Sequence, residues 1–189
     1  YKEVGAIGKD KTEDDIIADM KPWYDNYCFA RRSFATDPKM FNCDMVCYYM
    51  STLVDTGDRP EDLVDPNTMT DYGKLKRLIE IDNMEENRLR IIHEIIEKGY
   101  IQGILVSHFP AERIMDYDNF VSLLYYYGML TIGGVEGELL TLIIPNNNVR
   151  LQYYRYLRDE YREIAPISTT QLSICYVRAA IHGDWRPLI

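Results

Sequence analysis

Several groups of residues in this chain have types that could do chemistry, and their spacing decides among them. Gly5-Ala6-Ile7-Gly8-Lys9-Asp10-Lys11-Thr12 has the glycines and lysines of a phosphate loop. A working loop needs GxxxxGK followed directly by Ser or Thr, so that the lysine reaches phosphate and the hydroxyl reaches magnesium. Here the spacing is wrong and no apolar strand precedes it, so the run reads as a polar leader to a helix capped by Thr12. His93, His108 and His182 stand far apart, and none has a partner at metal-binding spacing. Cys43 and Cys47 lie one helical turn apart and could bind a soft metal, but no second pair completes a site. They read as small core-facing residues. Asp71, Glu80, Asp82, Glu85 and Glu86 could attract a divalent cation, yet a nuclease site also needs a lysine and a β-scaffold that holds two carboxylates together. Solvated helix faces account for them. Tyr125-Tyr126-Tyr127 could stack bases in a positive groove, but Asp116, Asp118 and Asn119 precede them, which favours packing under a hairpin. No catalytic residue, no metal site and no cofactor is expected in this chain.

The elements that must hold these residues follow from periodicity and caps. Thr12 with Glu13, Asp14 and Asp15 opens a short helix ending near Pro22, and Trp23 to Met40 is an aperiodic connector. Asn42 or Asp44 caps a helix to about Leu53, with Met45, Tyr48, Tyr49 and Thr52 on one face and Gly57 as the stop. After a loop over 58–70, Leu75, Leu78 and Ile79 mark a helix. Glu85 to Lys98 is the clearest helix, with Leu89, Ile92, Ile95 and Ile96 inward and Gly99 closing it. Residues 100–106 are β-like, and a helix through Tyr127 stops at Gly128. Met129–Ile132 and Glu138–Ile144 then flank a glycine-rich tip, Gly133 to Gly137, as a hairpin. Pro145 and Asn146 start a long helix to Ile164 with Val149, Tyr153, Tyr156, Leu157 and Ile164 inward, and Ser168 to Ile181 forms a last helix before Gly183. The fold class expected is mainly α with a small β-hairpin: a helical lid and connector over 1–57, a helical, winged-helix-like module over 58–166, and a linker helix over 167–189.

A chain of 189 residues, 47% hydrophobic and 12% aromatic, can bury one compact core with an appendage. Its net charge of -9 repels a phosphate backbone. Four cysteines without a CxxC pair fit reduced thiols, and neither an 18-residue apolar run nor a signal-like start is present. A cytoplasmic location without membrane contact is expected. The start at Tyr1 and the end at Trp185-Arg186-Pro187-Leu188-Ile189 read as cuts within a longer protein.

Met20-Lys21-Pro22-Trp23-Tyr24-Asp25-Asn26-Tyr27-Cys28-Phe29 resembles the W-Y-D/N-G-Y-x-F motif of AAA-ATPase-like proteins. Met40 to Val46 is similar to that family's Y-N-S/P-x-x-V helix entry, Phe120 to Ile132 to its S-L-L-x-x-x-G-Y-L-T-I, and Ile144 to Arg150 to its I-P-N-x-E-V-R. Gly183-Asp184-Trp185-Arg186-Pro187 resembles the linker before the family's nuclease-like domain. The resemblance implies a bacterial P-loop ATPase core before Tyr1, carrying ATP and magnesium, and a PD-(D/E)XK nuclease-like domain after Ile189, both acting as intramolecular partners. It singles out Trp23, Tyr24, Asp25, Tyr27 and Phe29 as the aromatic motif. Asn26 replaces the family's glycine and Asn148 its glutamate, which puts a tight turn at the first and a charge at the second in question.

The leading expectation is therefore a non-catalytic lid and regulatory segment that couples nucleotide state to neighbouring domains. One alternative is a nucleic-acid-binding winged helix, touching nucleic acid through Arg150, Arg155, Arg158 and Arg162. Another is a protein-interaction module.

Overall fold

A capping box opens the described chain. Thr12 Oγ1 accepts from Asp15 N–H at 3.2 Å while the Asp15 carboxylate accepts from Thr12 N–H at 2.8 Å. The structure is a computed structural model that describes residues 12–35, 39–65, 85–114, 116–164 and 168–186, with Gly73 and Arg77. Leu75, Leu78 and Ile79, the acidic Asp71, Glu80 and Asp82, and the leader Gly5 to Lys11 lie outside the described residues.

Helix α1, Glu13–Tyr24, runs through Pro22 where the sequence suggested an end. Ile16, Met20 and Tyr24 recur every four residues and are all buried, so stopping at Pro22 would expose Tyr24. A turn of helix, α2 (Arg31–Phe34), was not expected in the connector. Helix α3, Cys43–Thr56, begins where Asn42 Oδ1 accepts from the N–H groups of Asp44 and Met45, and ends on Gly57 at φ 78°. Its inward stripe is Met45, Tyr49 and Leu53, against the stripe of α1. This corrects two expectations. Tyr48 and Thr52 are only half-buried, and Cys43 and Cys47, two residues to either side of Met45, fall on the opposite face and are exposed. Burying each large apolar side chain of this pair contributes about 1.5–3 kcal/mol.

Helix α4 (Glu85–Lys98) leads directly into β1 (Tyr100–Gly103), a short turn at Ala111–Arg113, helix α5 (Tyr117–Tyr126), and the hairpin β2 (Thr131–Glu136) and β3 (Leu139–Ile143). The sheet is antiparallel with order β1-β3-β2, and Ile101, Leu142 and Ile132 align across it as a buried row. Helix, strand, helix and hairpin in this order give a mainly α arrangement with one small three-stranded antiparallel sheet. The expected glycine-rich tip is shorter, because Gly133 and Gly134 lie within β2 and the turn is Gly137-Glu138. A β-bulge between Ile132 and Gly134 accommodates Gly133, where an added Cβ would come 2.7 Å from Ile143 Cγ2. Arg31 of α2 holds the turn by donating to the carbonyls of Glu138 at 2.6 Å and Gly137 at 3.3 Å.

Helix α6 spans Asn147–Ile164 and α7 spans Thr169–His182, the latter capped by Ser168 and closed by Gly183 at φ 65°. The chain divides into two compact units, one through Tyr153 and one from Tyr154. In the second, Asp184 accepts from Arg178 at 2.7 Å and Arg186 at 2.8 Å, and these hydrogen bonds, led by Arg186, hold its carboxyl below the usual range. No helix among the described residues is long and apolar enough to cross a membrane.

Candidate functional site

The residues of the aromatic motif leave α1 as a strand-like segment that ties distant parts of the first unit together. Asn42 N–H donates to Tyr24 carbonyl at 2.7 Å, and Tyr27 and Met40 exchange backbone hydrogen bonds of 3.1 and 2.9 Å. Asn26 Nδ2 donates to Pro145 carbonyl at 2.9 Å, and Asn146 Nδ2 returns the link to Asp25 carbonyl at 3.1 Å. Cys28 N–H donates to Thr131 Oγ1 at 2.6 Å, and the Thr131 hydroxyl donates back to Cys28 carbonyl. Residues 24–28, 40–42, 131 and 145–146 thus meet at one junction.

Asn26 adopts φ 79°, the left-handed conformation that glycine takes most easily and asparagine better than most other residues. The Asn26 side chain adds the bond to Pro145. Trp23 packs partly buried against the α1–α3 core. Tyr24 is fully buried and its hydroxyl donates to Leu63 carbonyl at 2.7 Å. Burial, reinforced by Tyr48 and Tyr49, raises its pKa well above that of a free tyrosine. Asp25 is buried, with Oδ1 lacking a hydrogen-bond partner among the described residues, and it borders an open recess of about 780 Å³ beside Lys21 and Lys39.

On another side of the junction lies a cleft of about 350 Å³. Tyr27, Phe29 and Met40 form one part of its wall, Tyr126, Tyr127 and Met129 another, and α6 contributes Asn148, Val149 and Gln152. Tyr27 and Phe29 stack at 5.4 Å and 17°, Phe29 meets Tyr125 edge-on at 6.1 Å, and Tyr125 meets Tyr126 at 5.4 Å. Phe29, Met40, Tyr126 and Tyr127 are each about half exposed at the rim. Tyr125 is buried as expected, whereas Tyr126 and Tyr127 are not under the hairpin but at this rim, because they follow the last buried turn of α5. Asn148 and Gln152, one helical turn apart, are 3% and 4% exposed, and neither Asn148 Oδ1 nor Gln152 Oε1 has a hydrogen-bond partner among the described residues.

The structure does not gather the remaining sequence candidates into a site. His93 is half-buried on α4, His108 is exposed beside Ser107, and His182 ends α7. Among the described residues no group of His, Cys, Asp and Glu is arranged to hold a metal ion. Arg150 is exposed and donates to Asn147 Oδ1 at 2.9 Å, Arg158 is exposed beside Asp159, Arg155 is half-buried, and the Arg162 side chain lies outside the described residues. Sequence reasoning missed Asn148 and Gln152 because amides within an amphipathic helix read as solvent-facing. Their i, i+4 spacing beside Val149 is the signal that could have found them. It also missed Arg88, which is 2% exposed with its guanidinium 5.9 Å from the Phe120 ring centroid. Compared with protein-family models, curated proteins and solved structures, the chain matches none.

Proposed function

We propose that this chain is a non-catalytic lid and winged-helix-like regulatory segment of an AAA-like ATPase, passing the nucleotide state of an adjoining core to a neighbouring domain. The observation that supports it is the junction. The four segments whose residues resemble the family's motifs, up to 121 positions apart, are hydrogen-bonded to one another around Asp25 and Asn26. A rigid joint of this kind can carry movement from the α1–α3 pair to the winged-helix-like part, because packed and hydrogen-bonded elements move together rather than deform.

The test joins this chain to the P-loop core that the reading requires upstream and measures steady-state ATP turnover. Trp23→Phe and Asp25→Asn, which keep side-chain shape, are expected to change turnover about fivefold or more, within the usual range of inter-site coupling. Unchanged turnover in both folded variants, or an upstream reading frame without GxxxxGK-S/T, sinks the proposal.

Nucleic-acid binding is the second reading, favoured by the winged-helix element order. In that geometry α5 would be the recognition helix, yet it carries no Lys or Arg and buries Asn119, Phe120, Val121, Ser122, Leu124 and Tyr125. Salt-dependent duplex binding that is lost when Arg150, Arg155, Arg158 and Arg162 become glutamate would promote it.

A further inference from the structure

We infer that α7 docks against the α7 of a second copy of this chain, antiparallel about a two-fold axis, through Ile174, Val177 and Ile181. The inference stands apart from the ATPase reading, since it rests on one helix and its charges. At about 100° per residue, the i, i+3, i+7 spacing of these three puts them on one stripe. Each is at least half exposed, Ile181 most of all at 71%. Cys175 and Ala179 stand on the opposite side of the helix and are partly covered. One side of α7 is thus covered, and the other is a row of β-branched side chains left in water. Single exposed apolar residues are ordinary, but a contiguous row repeating every three and four positions is the seam by which one helix packs on another.

Charge selects what covers the row. Each copy carries a net charge of -9, so two copies repel wherever acidic surfaces meet. Alone of the described helices longer than one turn, α7 has no Asp or Glu. Its one arginine, Arg178, donates to Asp184 of the same chain at 2.7 Å and so does not require an acidic partner. A second copy can approach here without a like-charge contact, whereas an acidic or basic protein finds no charge on the stripe to recognise. The helix dipole sets the direction. The first turn of α7 has no acidic residue to offset its positive end, and an antiparallel neighbour brings the negative end of its own helix there. In that register Val177 lies beside the axis, and Ile174 faces Ile181 of the second copy. A helix of 14 residues is about 21 Å long, and pairing two strips of that length removes roughly 800 Å² from water. This is short of the roughly 1,200 Å² of a stable interface, so the pair is weak and exchanges with monomer.

The experiment follows the 189-residue chain by sedimentation velocity from about 1 μM to about 1 mM, where a monomer–dimer equilibrium with a dissociation constant of about 10–100 μM is expected. Val177→Glu sets two carboxylates face to face at the axis and is expected to raise that constant at least about tenfold, with far-ultraviolet circular dichroism unchanged. Tyr176→Gln removes a comparably exposed ring that lies off the stripe and is expected to leave the constant within about twofold. In a chain with Cys43→Ser and Cys47→Ser, Val177→Cys should oxidise to a disulfide-linked dimer. Ile174→Cys should not, because its two copies would lie about 10 Å apart along the pair. A parent chain that stays monomeric to about 1 mM overturns the inference and leaves the row to a different protein, a result that needs no variant to fold. Association beyond the dimer, undiminished dimerisation of Val177→Glu, or disulfide linkage through Ile174→Cys, the mark of a parallel pair, overturns it as well.

Discussion

Buried polar groups are treated differently on the two sides of the motif segment. Within the α1–α3 pair, Tyr24 donates to Leu63 carbonyl and Tyr49 to Asp19 Oδ2, so each buried hydroxyl has an acceptor. Along α6 the pattern is mixed. Tyr153 donates to Met129 carbonyl, and Asn146 both caps Val149 N–H at 3.2 Å and donates to Asp25 carbonyl, while Asn148 and Gln152 keep unmatched oxygens. Matched groups mark scaffold, where every partner is internal. Unmatched ones, Asn148 and Gln152 among them, carry a desolvation cost that no internal hydrogen bond offsets among the described residues.

The widest consequence of the scaffold's pairing is its sensitivity to alkali. Burial, with Asp19 next, pushes the Tyr49 pKa up to about 12; burial, with Cys28 next, takes Tyr125 to about 12; burial lifts Tyr153 further. Each folded value lies above the value of about 10 for an unfolded tyrosine. The stability they contribute is thus complete below about pH 10 and is lost as pH rises through 12. Far-ultraviolet circular dichroism against pH should show cooperative unfolding in that window, coincident with tyrosinate absorbance. Tyrosinate absorbance reaching its full amplitude below the unfolding transition would break the distinction between sealed and open regions.

Removing one sealed side chain comes next in size. Tyr24→Ala empties a fully buried site and strands Leu63 carbonyl, an expected loss of about 3–5 kcal/mol in urea unfolding. Tyr24→Phe keeps the ring and should lose only about 1–3 kcal/mol. Asn146→Ala removes a helix cap and the bond to Asp25 together, an expected loss of about 2 kcal/mol.

What the sequence made legible follows from how local the physics is. Thr12, Asn42, Gly57, Gly99, Ser168 and Gly183 act within one turn of their own helices, and the structure uses each of them at a helix end. The hairpin was legible from its flanks, but its tip was not, because Gly133 is required by contact with Ile143, ten residues along the chain. The inward face of α3 was drawn too wide for the same reason: Tyr48 and Tyr49 are alike in type and were both placed inward, and only the approach of Tyr24, 6.3 Å from Tyr49 between ring centroids, singles out Tyr49. The aromatic motif was legible as a set of residues and not as a junction, since its partners Thr131, Pro145 and Asn146 are more than a hundred positions away. The cleft was invisible for a further reason. Its amides are distinguished by what they lack, and no local pattern encodes a missing partner.

The smallest expected effect has the opposite sign and tests the contrast most directly. Asn146 and Asn148 are two positions apart at the start of α6, are both about 95% buried or more, and carry the same side chain. If an internal partner is what separates them, replacing each by leucine should move stability in opposite directions. Asn146→Leu forfeits two hydrogen bonds and should unfold at lower urea. Asn148→Leu removes an amide whose oxygen has no partner and substitutes apolar surface of similar volume, which should stabilise the chain by about 1 kcal/mol. The comparison uses one residue type and one measurement, at the cap of α6 and just inside it. If both variants lost stability equally, Asn148 would belong to the scaffold, and the division between sealed and open regions would have to be redrawn along α6.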